Sequence, residues 1–303
     1  MSKKQAVFLQ SHRFVDVAIV GAGFSGSMLA VHLADTFQAS HEIALIEKRP
    51  RFGPGIAYGT DYRLHLLNVP AGKMGAYPEK PGHFLEWLKE RRDLVSQYRL
   101  DPLKEGSFVP RNLYGLYIEE LVKRCALQTG HVHRFEQEAL DLTIAPHGWL
   151  RMLLGDNTTI FARKVVLAVG NFPPGDPATS DWRFHLSRNY LSDPWSSSTL
   201  RRLAYAGDIL ILGSGLTALD LIVSLSQIKQ SGKIYLLSRR GLFPHRHAPV
   251  APYAFYQSDP RKIDSVRHLL RAVRNEVSLA ADMKIGWRSV IDALRPHTQA
   301  IWQ

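Results

Sequence analysis

The stretch that decides the fold runs from Val15 to Ala30, VDVAIVGAGFSGSMLA. Its opening residues, Val15 to Val20, alternate too little for a half-exposed strand and read as a strand covered on both faces, as in a parallel sheet. Gly21 ends the strand, and SMLAVHLADTF then repeats apolar residues at helical spacing. EIALIE, Glu42 to Glu47, is the next strand, which completes one βαβ unit. The same grammar returns at DILILGSGLTALDL, Asp208 to Leu221: DILILG is a strand, LTALDLIVSLSQI a helix and KIYLLSRR the strand that follows.

Each unit carries a glycine fingerprint at its first turn. In Gly21-x-Gly23-x-x-Gly26 the first glycine permits a tight turn, the second lets backbone approach a pyrophosphate, and the third allows close helix–strand packing. The free N–H groups of the helix start then face the phosphates. Glu47 ends the second strand, about 20 residues on, where an acid accepts hydrogen bonds from an adenosine ribose. The second fingerprint, Gly213-x-Gly215-x-x-Ala218, uses the permitted alanine at its last position. At the end of its second strand Ser238, Arg239 and Arg240 replace the acid. Arginine there pairs with a ribose 2′-phosphate that an acid would repel, so this unit is expected to take NADP(H) rather than NAD(H). The plain alternative is a pair of solvated arginines at a strand end.

A chain of 303 residues suggests two domains, and an apolar fraction of 45% is enough for a sizeable core. The single cysteine, Cys125, excludes an internal disulfide and a CxxC redox pair. It sits at helical spacing among apolar neighbours and reads as a buried structural thiol. The formal net charge is +11, but the Lys and Arg are dispersed and no long basic run or RNA-binding signature occurs. A solvated basic surface is therefore expected, with no nucleic-acid partner. The apolar run AVFL near the N-terminus is too short for a secretion signal. The longest apolar tract is punctuated by Gly213, Gly215 and Asp220, so no membrane insertion is expected and the protein reads as soluble and cytoplasmic.

Between the units, residues 49–112 are irregular and rich in Gly and Pro; their apolar and aromatic content predicts ordered loops over a ligand. HFLEWLKERRDLV, beyond the most Gly- and Pro-rich part of that stretch, and LYGLYIEELVKRCALQ, after it, read as helices. Residues 131–170 read as a meander of three strands, with Gly155-Asp156-Asn157 turning one hairpin. Residues 261–303 are mostly helical. The fold class expected is α/β, with one dinucleotide-binding domain over 14–175, a second over 205–260, and a helical segment at the end.

In these motifs the chain resembles the two-dinucleotide-domain flavoproteins, a broad FAD/NAD(P)-binding family akin to flavin-containing and N-hydroxylating monooxygenases. The segments FGPGIAYGTD, HLLNVPAGKM, FVPRNLYG and ILGSGLTALD carry the likeness, together with VVLAVGNFPP, which looks like the hinge where such chains leave the FAD domain. The resemblance spans about Phe14 to Gly241. It implies FAD in the first unit and NAD(P)H in the second, with Ser25, Lys48, Asn68 and Gly170 joining the first set and Leu216 and Thr217 the second. It also implies a late strand whose Gly-Asp returns to the flavin. None is legible before Gln303, so the chain is expected to be shortened against that pattern.

Hydride transfer from NADPH to FAD is the expected first step. A disulfide reductase is excluded, because one cysteine cannot form the required pair. Oxygenation of a small molecule is the reading the resemblance favours. An NADPH dehydrogenase serving another acceptor, and a non-catalytic flavin-binding scaffold, stand beside it. Asn68 could hydrogen-bond the flavin or a substrate, or simply turn the chain before Val69-Pro70. Arg111 could hold an anion or lie solvated at the surface. Tyr58 reads as packing. His245-Arg246-His247 lacks further ligands at metal spacing, so no metal is expected.

Overall fold

The computed structural model of the chain describes residues 12–37, 41–172, 175–177, 181–228, 231–246, 248, 250–255 and 259–302. Residues 1–11, including the AVFL run, and His247 lie outside them. Two compact units result, Met1–Leu242 and Phe243–Gln303.

The first unit opens with β1 (His12–Val20), α1 (Phe24–Thr36) and β2 (Ile43–Glu47), as the opening stretch predicts. The short helices α2 (Gly55–Tyr58), α3 (His83–Glu90) and α4 (Arg92–Gln97) and the long α5 (Arg111–Thr129) follow. Next come β3 (Val132–Glu136), β4 (Ala139–Ile144), β5 (Leu150–Leu154) and β6 (Thr159–Leu167). Then α6 (Ser197–Leu203) leads into β7 (Ile209–Leu212), α7 (Leu216–Gln227) and β8 (Ile234–Leu237).

The main sheet has the order β3-β2-β1-β6-β5-β4, with β3, β2, β1 and β6 parallel. Its centre is buried on both faces, and β2 shows how. Ile43 and Leu45 enter the cluster that also holds α1 and α5 residues, whereas Ala44 and Ile46 enter a second cluster with Met152, Leu154 and Ile160. Successive side chains of a strand point to opposite faces, so a continuous apolar run is what a strand covered twice requires.

Two expectations are corrected here. Residues 131–144 do not form the first strand of a meander. They split at Gln137 and Glu138 into β3, which pairs parallel with β2 (Ile43 with Val132), and β4, which pairs antiparallel with β5. The long α5 runs back and delivers the chain to the sheet edge in the direction of β2, so only β4–β6 make the meander. Likewise 83–95 is two helices rather than one. Arg91 leaves the helical region (φ −105°, ψ 71°), its guanidinium lies 4.1 Å from the Trp87 ring centroid, and Nη2 donates to Glu120 Oε1 at 2.6 Å. The predicted hairpin turn at 155–157 is present, with Asn157 at φ 66°.

Several apolar residues of the irregular segment 49–112 belong to the core, while Ile56, Leu64 and Leu66 are exposed. Phe52, Leu67, Ala71, Phe84, Trp87 and Val109 are buried in the same cluster as Tyr114 and Tyr117 of α5. The Tyr117 hydroxyl accepts the Ala76 N–H at 3.0 Å and lies 2.6 Å from His83 Nδ1, which gives the buried ring a polar anchor. Around the second fingerprint the described sheet has two strands only, β7 parallel to β8.

The second unit holds α8 (Val266–Asp282), α9 (Trp287–Leu294) and α10 (Thr298–Trp302), in keeping with the helical pattern read there. Ser265 caps α8, its hydroxyl oxygen accepting the His268 N–H at 3.2 Å. No helix among the described residues is long and apolar enough to cross a membrane.

Candidate functional site: two glycine turns

The two fingerprint turns share one backbone. Gly21 and Gly213 both occupy the left-handed region, at φ 97° and 104°. Gly23 and Gly215 are the N-caps of α1 and α7, at φ −68°, ψ −169° and φ −80°, ψ −172°. Neither cap has a side chain to satisfy the first-turn N–H groups, and neither first turn carries an acid. Both helix starts thus present unsatisfied donors and the positive end of a dipole, the chemistry an anionic pyrophosphate needs.

The missing Cβ atoms test whether such a group fits. At Gly23 a Cβ would meet nothing closer than the Cα of Gly55 at 3.5 Å; at Gly215 it would meet nothing within 4 Å. The backbone is therefore open to a ligand at these positions and closed by nothing else. At Gly26 a Cβ would stand 1.9 Å from the Gly21 carbonyl oxygen, so α1 sits directly on the end of β1. In the second βαβ unit the equivalent residue is Ala218, which is buried, and Gly213 has open space around its Cβ position. Helix α7 thus leaves room for the methyl that α1 forbids.

Glu47 stands at the end of β2 with both carboxylate oxygens engaged. Oε2 accepts the Ala22 N–H at 2.9 Å and Oε1 the Arg49 N–H at 3.1 Å. The acid is thereby held against the fingerprint turn. Ser27, which sequence reasoning missed, donates its hydroxyl to the Ala22 carbonyl at 3.0 Å from a fully buried position. The visible signal was a serine one residue beyond the last fingerprint glycine. Ser25 is exposed in the first turn of α1, and Lys48 is exposed and paired with Glu138 at 3.1 Å. Gly170 follows β6 at φ 75°, just beyond Ala168, whose N–H donates to the Val20 carbonyl at 2.8 Å.

At the second turn Leu216 and Thr217 are exposed at the start of α7. Ser238 uses its hydroxyl oxygen to accept the Gly241 N–H at 3.0 Å, closing the turn that carries Arg239 and Arg240. Both arginines are exposed and make no ion pair among the described residues. The contrast between acid and arginine at the two strand ends is therefore present in space as well as in sequence.

Asn68 is exposed in the loop before Pro70. Arg111 is placed neither as a free anion-binding group nor as a solvated one. Its Nε donates to the Leu66 carbonyl at 2.8 Å, and Nη2 lies 2.9 Å from Asp220 Oδ2 on α7. Burial pushes the Asp220 carboxyl above the usual range, while Arg111 and His65 pull it down. Tyr58 packs edge-on against Tyr114, ring centroids 4.7 Å apart, as expected of a packing residue. His245 and Arg246 are exposed, and no group of metal-ligating side chains occurs among the described residues.

Comparison with known proteins places these turns in context. A family model described as FAD-NAD(P)-binding matches residues 18–172. A comparison with curated proteins gave no match. Among solved structures, a flavin monooxygenase from Stenotrophomonas maltophilia is 18% identical, with a TM-score of 0.49, over 75% of this chain and 58% of that one. A flavin-containing monooxygenase from the same organism is 17% identical, with a TM-score of 0.49, over 87% and 68%. A cyclohexanone monooxygenase from Rhodococcus sp. Phi1, bound to NADP+, is 20% identical, with a TM-score of 0.47, over 74% and 38%. The chain thus spans 58% and 38% of the length of two of these proteins and 68% of the third.

Proposed function

Because this chain belongs to the FAD-NAD(P)-binding family, we propose that it is an FAD-dependent oxidoreductase fuelled by NADPH, with FAD held by residues 14–175 and NADPH by residues 205–260. One observation carries the reading: two glycine turns of nearly identical backbone end in opposite charges, Glu47 at one and Arg239 with Arg240 at the other. A carboxylate suits ribose hydroxyls and disfavours a 2′-phosphate; a guanidinium does the reverse.

Bound FAD would supply the two-electron chemistry that links a reduced pyridine nucleotide to an acceptor. The chain's own residues would do the holding. Gly23 opens the backbone to the pyrophosphate, and the uncapped N–H groups of α1 bind it. Each oxygen of Glu47 accepts one backbone N–H and keeps lone-pair capacity for a ribose hydroxyl. Gly215 and the start of α7 serve the second nucleotide in the same way, and Arg239 and Arg240 receive its 2′-phosphate as charge-assisted donors.

Dioxygen as acceptor, with a small molecule oxygenated, is the reaction the motif resemblance supports. The lone, buried Cys125 leaves no cysteine pair to receive the electrons instead.

The visible spectrum of the purified protein, with identification of any pigment released on heating, tests the first half. A yellow protein that releases FAD and is bleached by NADPH without air supports the proposal. Anaerobic reduction followed by oxygen uptake then separates a monooxygenase from a dehydrogenase: uptake stimulated by a small-molecule substrate supports the first, turnover only with an added quinone the second. A protein that takes up no added FAD would sink both.

A further inference from the structure

The two fingerprint units are joined by a polar cluster that the nucleotide chemistry does not use. His65 is 3% exposed; its Nε2 lies 2.9 Å from Ser224 Oγ on α7 and its Nδ1 2.9 Å from Thr60 Oγ1. Beside it runs the Arg111–Asp220 pair, each side chain 15% exposed, with Arg111 also tied to the Leu66 carbonyl. Trp195 closes over both, 5.6 Å from the Arg111 guanidinium carbon and edge-on to His65 at 5.9 Å. The cluster draws on the loop at 60–66, the start of α5 and the middle of α7.

On α7, Asp220 and Ser224 are one turn apart and so share a face. That face belongs to the helix whose N-cap is Gly215. For adhesion alone apolar side chains would serve as well or better, because the hydration lost by burying a charge pair often exceeds what the attraction returns. Arg111 and Asp220 meet by charge alone, since Asp220 Oδ2 has no partner in hydrogen-bond geometry; the directional contact to α7 is that of His65 with Ser224, and a directional contact restricts the rotation and height of the helix.

We propose that Arg111 and Asp220, with His65 and Ser224, are positioning residues that fix α7, and with it the Gly213–Gly215 turn, in one register against the loops that follow the first fingerprint. A pyridine nucleotide held at that turn then meets the first cofactor in one geometry. This rests on the two-nucleotide reading above. None of the four need touch either cofactor.

Hydrogen–deuterium exchange on the purified full chain tests the clamp without any cofactor. Asp220→Asn is expected to speed exchange of the α7 amides and of residues 62–67 by about tenfold, as local opening becomes easier, and to leave β2 and β5 unchanged. Ser224→Ala, which removes one neutral partner, is expected to do the same to a smaller degree and guards against a variant that fails to fold. Unchanged protection in both variants would overturn the clamp.

The second readout is anaerobic reduction of the flavin-loaded protein. The limiting rate is expected to fall by about tenfold in Asp220→Asn while the NADPH dissociation constant moves by less than about twofold, a split that marks positioning rather than binding. A change in the dissociation constant alone would overturn the positioning role. A chain that takes up no flavin would overturn the two-nucleotide reading, while the exchange result would still decide whether the clamp exists.

Discussion

The carbonyl oxygen of Gly21 lies 1.9 Å from the point that a Cβ on Gly26 would occupy. Backbone stands in that place, so an added methyl cannot be relieved by turning a side chain. Gly26→Ala is expected to destabilise the chain by about 3 kcal/mol through overpacking. Gly23→Ala and Gly215→Ala meet open space or an ordinary contact, and are expected to cost no more than about 1 kcal/mol, the scale of an N-cap change. Their loss should appear instead in flavin and pyridine-nucleotide binding respectively. Thermal melts of the three variants beside the flavin content of each check this. A Gly26→Ala protein as stable as the parent would contradict the packing.

Arg239 should discriminate between the two pyridine nucleotides. A charge-assisted hydrogen bond contributes about 1.5–3 kcal/mol, so Arg239→Ala is expected to weaken NADPH by about 10- to 100-fold. NADH should change by less than about twofold, because it lacks the 2′-phosphate. Titration of both nucleotides against parent and variant decides it, and equal loss of the two would refute the 2′-phosphate assignment.

Acid should loosen the fold before most carboxylates titrate. Burial holds the His65 imidazole below its ordinary 6.5, with Arg111 pushing the same way and Asp220 opposing. Burial also lowers His83, helped by Arg124. A histidine with a depressed folded pKa is neutral in both states above 6.5, and its contribution is intact there. Below 6.5 the unfolded chain takes up the proton first, so stability falls as the pH drops towards the folded values. Asp220, raised above 3.8 by burial, works in the opposite sense nearer the carboxylate range. Urea midpoints taken from pH 8 to pH 5.5 should decline, and decline less in His65→Gln. A flat or rising series would show these side chains to be solvated.

Cys125 should be unreactive in the folded protein. It is buried on the inner face of α5, and its thiol is pushed up to about 11, burial being the main cause and Asp35 a lesser one. At pH 8 the thiolate, the reactive form, is then on the order of 0.1% of the population. A chromogenic disulfide reagent is expected to label it only in urea. Fast stoichiometric labelling of the native chain would place the thiol at the surface.

What could be read before folding was whatever depends on a few consecutive residues. The βαβ units follow from apolar runs that a doubly covered strand needs, ended by Gly21 and Gly213, whose positive φ other residues resist. The acid and the arginines at the strand ends were legible for the same reason, because their offset from the glycines is set by helix and strand length. Periodicity near Arg91 and at 131–144 was less informative, since one stacked guanidinium and the direction of a pairing edge lie outside any local window.

Local residue order therefore sets the two glycine turns, their succession along the chain and the opposite charges beside them. The partners of Arg111 and His65 come from long-range packing alone. His65 and Ser224 are 159 residues apart, and nothing local to either announces the other. An arginine in FVPRNLYG carries the same sequence signature whether it is solvated, grips an anion or meets a carboxylate. Packing α7 against the loops brings Arg111 to 2.9 Å from Asp220, and the loss of water around the pair strengthens their attraction.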